Sequence, residues 1–376
     1  MKTKTYIVLL MCFIAIVGAS LAAAQPANLA ADIRLPEGFS ISLYTDEVPN
    51  ARSLALGANG TVFVSTRRDG RIYAVVEGAN GEARVLTLLE GLRMPNGLAY
   101  YDGDLYIAET RRLLRLSDIE STLDDPPELE VLDDSFPTER HHGWRYIEFG
   151  PDGKLYMSVG APCNVCDRDG FGIIQRMNPD GSDKETIAYG VRNSVGLEFH
   201  PASHDLWFTD NGRDMLGDNT PPGELNRLDA DGSHFGFPFC HGSGVVDPEF
   251  GARRPCADFV APAQELGPHV APLGLEIYDG EMFPAEYRGH AFIAEHGSWN
   301  RSEKIGYRIT LVRLAGASGA GYDVFADGWL DGDDVSGRPV DLLVMPDGSM
   351  LVSDDQSGVL YRIRYEAPRL QGLRRN

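Results

Sequence analysis

This chain lacks convincing helix. Of its 376 residues, no stretch carries a 3.6-residue apolar period strong enough to commit to one. That excludes the βαβ units of doubly wound folds, and with them the usual setting of a redox-active Cys-x-x-Cys. Cysteine is sparse, five in all, and none belongs to a Cys-x-x-Cys-His sequence, so the chain carries no c-type haem attachment site of its own. Basic charge is scarce as well: 34 Lys and Arg stand against 55 Asp and Glu, a formal charge of −21. Such an acidic surface argues against nucleic acid or an anionic membrane as partner. Only one long hydrophobic run is present, at residues 6–17.

Lys2 and Lys4 precede that run, and Ala22-Ala23-Ala24 before Gln25 supplies a small-residue cleavage site. A retained anchor is the rival reading, but the run is shorter than the ~20 residues of a membrane span. Residues 1–24 therefore read as a cleaved signal peptide, and the mature protein is expected in the periplasm or outside the cell. Cleavage removes Lys2, Lys4 and Cys12, which takes the formal charge to −23 and leaves four cysteines. Export makes disulfides the default for these. Local pairing, Cys163 with Cys166 and Cys240 with Cys256, is the economical choice among three connectivities, with a four-cysteine zinc site as the alternative.

What the chain has in abundance is a repeated hairpin. In 141–160, HHGWRYIEFGPDGKLYMSVG, a short alternating strand enters a Gly-Pro-Asp-Gly turn and a second strand leaves it. The same unit recurs at 53–66, 98–109, 196–210, 275–295 and 342–354, mostly followed by another turn and strand. Six copies of a four-stranded antiparallel meander predict an all-β fold, a six-bladed β-propeller. One β-sandwich could not absorb so many strands. Residues 25–376 are read as a single propeller domain, since such folds grow by adding blades that bury their own interfaces. A strand at 39–44 precedes the first repeat and suits closure of the last blade. Between the fourth and fifth repeats the interval lengthens, which predicts an insertion at about 215–270 over one face.

In such a meander, the loop into the first strand and the loop out of the second lie at one end of the blade. Around a ring they converge on the channel mouth. The first set holds Arg52, Asn96, His142, Arg192 with Asn193, His269 and Arg338. The second holds Arg67-Arg68, residues 109–112, the GAPC turn, DNGRD at 210–214, HGSWNR at 296–301 and Asp354-Asp355. Arginines gathered at one end of an acidic protein suit a small polyanion, because guanidinium pairs bidentately with carboxylate. His142 is the candidate general base. His141 and His142 should point to opposite sides if the segment is extended. The oxygens of the DNGRD loop are of the kind calcium takes, without the spacing of an EF-hand.

The motifs RHHGWRYIEFGPDGKLYMSVGAPCN, YGVRNSVGLEFHP, FTDNGRD, AEHGSWNR and GRPVDLLVMPDGSMLVSDDQSGVLYRI resemble the soluble quinoprotein sugar dehydrogenases, in particular the L-sorbosone dehydrogenase-like branch. The likeness spans residues 34–366. It implies a six-bladed propeller that holds pyrroloquinoline quinone (PQQ) and Ca²⁺ at the channel mouth and oxidises a sugar or sugar-derived aldehyde or alcohol. On that resemblance His142 is the base and Arg192 lies over the reactive carbonyl with Asn193 beside it. Arg52 and Arg338 take the cofactor's carboxylates. His296, Trp299, Asn300 and Arg301 lie near its ring, and the main-chain oxygens of Gly212 and Arg213 bind Ca²⁺. Electrons then pass to an external acceptor, a cytochrome or a quinone. Two departures stand out. No lysine occupies the HGSWNR loop, Lys304 falling just beyond it. The Gly-Asp that orients the family's histidine reads Gly160-Ala161, which leaves Glu109 or Asp210 as candidate orienting groups. A calcium-dependent six-bladed lactonase or esterase, and a propeller that only binds a protein or glycan, remain the alternatives.

Overall fold

The computed structural model describes residues 30–368, so the signal-peptide segment 1–24 and the tail 369–376 lie outside it. Among the described residues there is no α-helix, only short 3₁₀ turns, and no helix is long and apolar enough to cross a membrane. Six sheets of at least four strands form the blades. Their first strands are Ala51–Leu56, Gly97–Tyr101, Ile147–Phe149, Leu197–Phe199, Pro272–Ile277 and Pro339–Val344, each touching the next around the axis. In all six blades the first three strands pair antiparallel in chain order. The fourth place in the last blade goes to Phe39–Thr45, which pairs antiparallel with Val359–Tyr365 and closes the ring. The expected propeller and its closing strand are both present.

Six apolar clusters, one per blade-to-blade interface, form the core. Each second strand is almost wholly buried, as in Val62–Thr66 and Ala291–Glu295, where an apolar run ends in buried polar residues. The first strands are irregular where they begin: the register shifts between Ala51 and Leu54, Pro272 and Leu275, and Pro339 and Leu342. Such bulges leave main-chain groups without ladder partners. Hydroxyls from neighbouring second strands supply them. Ser65 donates to the Asn96 carbonyl (2.6 Å), Thr209 to that of Leu273 (2.7 Å) and Ser353 to that of Arg52 (2.6 Å). Each bond crosses to the following blade, and together they hold the residues that lead into the mouth.

The stretch 215–270 is not all insertion. It contributes two strands of the fourth blade, Pro222–Arg227 and Gln264–Pro268. The excess lies between them. Ser233–His234 adds a parallel pair to the third blade, and the small hairpin of Cys240–His241 with Val245–Val246 follows. The predicted pairs Cys163–Cys166 and Cys240–Cys256 are both disulfides.

Further along the first strands, Glu148, Glu198 and Glu276 occupy the same place in the third, fourth and fifth blades, one residue after the buried Ile147, Leu197 and Leu275. The other blades have Ala55, Ala99 and Leu343 there. Burial raises the Glu148 carboxyl to about 8 and that of Asp341 to about 7, and it lifts Glu198 and Glu276 well above the usual range, with neighbouring carboxylates raising the three glutamates further. Folding therefore keeps protons that the unfolded chain releases near pH ~4.3. The associated stability is complete below that pH and is lost as the pH rises through about 8. Glu148→Gln should raise the thermal midpoint by a few degrees at pH 8.5 and leave it nearly unchanged at pH 5. Equal shifts at the two pH values in a thermal-unfolding series would refute the assignment.

Candidate active site

At one end of the ring lies a cavity of about 280 Å³. Its wall holds Arg52, His142, Arg192, Asn193, Gly212, His296, Trp299, Asn300 and Arg338. Loops from all but the second blade contribute; Asn96 and residues 109–112 of that blade, expected at the mouth too, do not line the cavity. Two of the residues named for the cofactor and its ion do not reach the wall either. They are Arg213, expected to offer its main-chain oxygen, whose guanidinium pairs with Asp247 (2.5 Å) and Glu249 (3.0 Å), and Arg301, which is not part of the cavity lining. Asn96 is buried one layer down, where it accepts from Arg52 Nε (3.0 Å) and donates to the Arg145 carbonyl (3.0 Å). His269 lines the wall and bonds the Gly217 carbonyl through Nε2 (2.7 Å).

His142 does not sit in extended chain. Its φ is +48°, and the turn brings the His141 ring to 4.1 Å from its own, so the two imidazoles stack obliquely. His142 is buried and His141 is exposed. Neither Glu109 nor Asp210 orients His142. Glu109 accepts from the Arg93 amide (2.6 Å) and Arg112 Nε (2.6 Å), and Asp210 accepts the amides of Arg192 (2.7 Å) and Asn193 (2.6 Å). The orienting group is the main-chain carbonyl of Ala161, 2.8 Å from His142 Nδ1. A carbonyl can only accept, so Nδ1 carries the proton and Nε2 keeps its lone pair. Burial, then the charge of Arg192, holds the imidazolium form well below its ordinary range, so the ring is neutral at pH 7. The residue that replaces the expected aspartate thus does the same job with its backbone.

The four cavity arginines are unequal. Arg52 is fully buried and pairs with Asp355 (3.0 Å), which also accepts from His296 Nε2 (2.8 Å). Burial works against an ionised Asp355, but His296 and Arg52 outweigh it and hold the carboxyl far below its usual range. Arg338 donates only to carbonyls, those of His296 and Gly297 (2.9 Å each), with its guanidinium over the Tyr307 ring. Arg67 has no hydrogen-bond or ion-pair partner among the described residues and rests on the face of Trp144, 5.2 Å from its centroid. Burial, then the charge of Arg52, lowers Arg67 to about 10, which still leaves it cationic. Arg192 is the opposite case, with every donor already engaged by protein oxygens. Sequence reasoning placed Arg67 in a mouth loop without giving it a role. It passed over Trp144, Asn164 and Asp214, whose only signal was their place inside motifs read for other residues.

The charge count points to the ligand. Two guanidinium groups, Arg67 and Arg338, face the cavity without carboxylate partners, and Trp299, 68% exposed, stands at its rim. This suits a flat molecule with several carboxylates. The oxygens suited to calcium are not free in the same way. Gly212 O and Asn211 O accept from Arg192 Nη1 (2.8 and 3.1 Å), and Asp214 Oδ2 accepts from Nη2 (3.1 Å). A carbonyl oxygen keeps a second lone pair, so an ion at Gly212 would share that oxygen with the guanidinium.

The family described as glucose/sorbosone dehydrogenase matches residues 101–298, and a TrAA12-like family matches residues 249–366. A Borreliella burgdorferi protein described as uncharacterized is 32% identical over 356 residues, covering 90% of this chain and 92% of that protein. Among solved structures, the calcium structure of a Trichoderma reesei family AA12 carbohydrate-active enzyme aligns with a TM-score of 0.79 at 19% identity, over 89% of this chain and 97% of that one. The holo PQQ domain of a Coprinopsis cinerea pyranose dehydrogenase aligns at 0.75 and 18%, over 88% and 97%. The PQQ-bound aldose sugar dehydrogenase of Streptomyces coelicolor aligns at 0.64 and 20%, over 89% and 100%. These likenesses establish the fold.

Removing the anion that Arg52 and His296 share should be costly. Asp355→Asn leaves a buried guanidinium without its counter-charge and should lower stability by about 3–5 kcal/mol, read as a shifted urea midpoint at pH 7. An unchanged midpoint would show that the pair does not hold this part of the mouth.

Proposed function

The chain belongs to the glucose/sorbosone dehydrogenase family, and from that premise we propose that it is a PQQ-dependent dehydrogenase of sugars or sugar-derived aldehydes and alcohols. The observation that carries the reading is the pair of carboxylate-free guanidiniums, Arg67 and Arg338, facing the same cavity as a neutral imidazole. Arg67, Arg338 and Arg52 would hold the cofactor's carboxylates, with Trp299 and Asn300 along its ring. When bound, the quinone supplies the two-electron acceptor that no side chain of this protein provides.

The chain's own residues do the rest. His142 Nε2 receives the proton of the substrate hydroxyl, because Ala161 fixes the tautomer through Nδ1 and burial keeps the ring uncharged. Arg192 acts as a fixed positive charge beside the imidazole; with its donors engaged, it is not positioned to form new hydrogen bonds to the ligand. Calcium enters the proposal as an ion taking the Gly212 and Arg213 carbonyls, and the proton step does not depend on it. The electrons taken from the substrate would leave to an external acceptor, a cytochrome or a quinone, with the protein exported by way of residues 1–24. A lactonase would instead need side-chain carboxylates grouped around a metal. Among the described residues no three His, Cys, Asp or Glu are so placed.

The test is spectroscopic. Purified protein is mixed with PQQ, with and without CaCl₂, and then with an aldose or a 2-keto-aldose. The quinone band should persist on the protein and bleach with substrate; absence of both binding and dye reduction overturns the reading. His142→Ala should lower kcat by about 10²–10⁴-fold with the cofactor Kd changed only a few-fold, whereas His141→Ala should keep most activity. Because the His142 pKa is depressed, the acid limb of kcat/KM should fall below pH 6.5. Loss in His141→Ala equal to that in His142→Ala would place the base on the wrong ring.

A further inference from the structure

The loop 161–166 touches both halves of the proposed machinery. Its first residue, Ala161, accepts from His142 Nδ1 (2.8 Å) and donates its amide to the Arg192 carbonyl (2.8 Å). Its centre is Asn164, which lies between the two cysteines of the Cys163–Cys166 disulfide. Asn164 directs its carbonyl and both ends of its side-chain amide to two residues. Its carbonyl accepts from Arg192 Nε (2.9 Å), and Oδ1 accepts from Arg192 Nη2 (3.0 Å) and the Asp214 amide (2.8 Å). Its Nδ2 donates to the Asp214 carbonyl (3.1 Å).

With the carbonyls of Asn211 and Gly212 and the carboxylate of Asp214, this gives Arg192 five acceptors for its five N–H groups. A guanidinium with two rotatable ends is thereby held in one orientation. The loop also borders a second cavity of about 160 Å³ whose lining includes Pro162, Cys166, Phe171 and His234, and residues 162–166 are only half-buried. The covalent link between Cys163 and Cys166 adds a further constraint to these hydrogen bonds.

We infer that Asn164, clamped by the Cys163–Cys166 disulfide, is a positioning residue that fixes the Arg192 guanidinium and Asp214 at the cavity wall. The inference rests on the proposed dehydrogenase reading for its consequence in catalysis, but its geometry is testable without any cofactor. The measurement is solvent exchange of the Arg192 Nη2–H groups, which donate to the Asn164 side chain, followed by ¹⁵N-edited NMR on the perdeuterated protein, in wild type, Asn164→Ala, Asn164→Asp and Cys163→Ser/Cys166→Ser. Asn164→Ala should speed that exchange at least tenfold with a thermal midpoint close to wild type. Asn164→Asp keeps the acceptor toward Arg192 and should restore slow exchange. The double serine variant should fall between the two. In cofactor-loaded protein Asn164→Ala should lower kcat more than it raises KM, with Asn164→Asp recovering most of the loss.

Exchange as slow in Asn164→Ala as in wild type overturns the positioning role. Wild-type exchange in the double serine variant overturns the clamp, and this variant and Asn164→Asp keep the inference testable should Asn164→Ala fail to fold. Absence of any quinone-dependent activity in wild type would sink the dehydrogenase reading alone, since the exchange rates report on Arg192 regardless.

Discussion

Four guanidinium groups share one small cavity, and everything around them follows from how that charge is contained. Like charges packed this closely repel, and burial removes the water that would screen them. Each arginine is handled differently. Arg52 has a buried carboxylate, Arg192 a complete set of oxygen acceptors, Arg338 two carbonyls and an aromatic face, and Arg67 only the face of Trp144. The two that lack carboxylates are the ones left facing the cavity. A polyanion would complete the balance in a protein whose net charge is strongly negative.

That arrangement depends on ring closure. Residues 52, 142, 192 and 338 are separated by up to 286 positions, and they meet because each leads into the first strand of a different blade. The hydroxyl bonds from Ser65, Thr209 and Ser353 to the next blade tie these approaches together, so the mouth inherits the rigidity of the ring. The glutamates further along the same strands carry raised pKa values from burial and mutual repulsion, and they sit away from the residues that handle the ligand. Stability and chemistry are thus spread along one set of strands, with cationic groups at the start and protonated carboxyls beyond.

Much of this was legible in the chain. The Pro-Asp-Gly hairpins at 151–153 and 346–348 set the repeat, the repeat sets the blades, and equivalent positions in the blades pick out Arg52, His142, Arg192 and Arg338 together. What stayed hidden depends on main-chain direction. No pattern of side chains announces that Ala161 orients His142 through its carbonyl, or that the histidine adopts a positive φ. The partners of Arg192 are mostly backbone oxygens, so its saturation could not be read from residue types. Arg213 and Arg301 belong to the right motifs, yet Arg213 is drawn off by Asp247 and Glu249, which lie in the segment between the last two strands of the fourth blade. The extent of the insertion was blurred because Pro222–Arg227 and Gln264–Pro268 have weak alternation, and strands without alternation resemble loop.

The central claim is that this mouth holds one flat, multiply carboxylated quinone. A crystal structure of the mature protein loaded with PQQ tests it most directly. The account predicts a single ordered molecule in the 280 Å³ cavity, with its carboxylates within hydrogen-bonding distance of Arg67 and Arg338 and His142 Nε2 facing the substrate side. Density for the quinone anywhere else on the molecule, or a loaded crystal with the cavity unchanged and Arg67 still resting unpaired on Trp144, would contradict it.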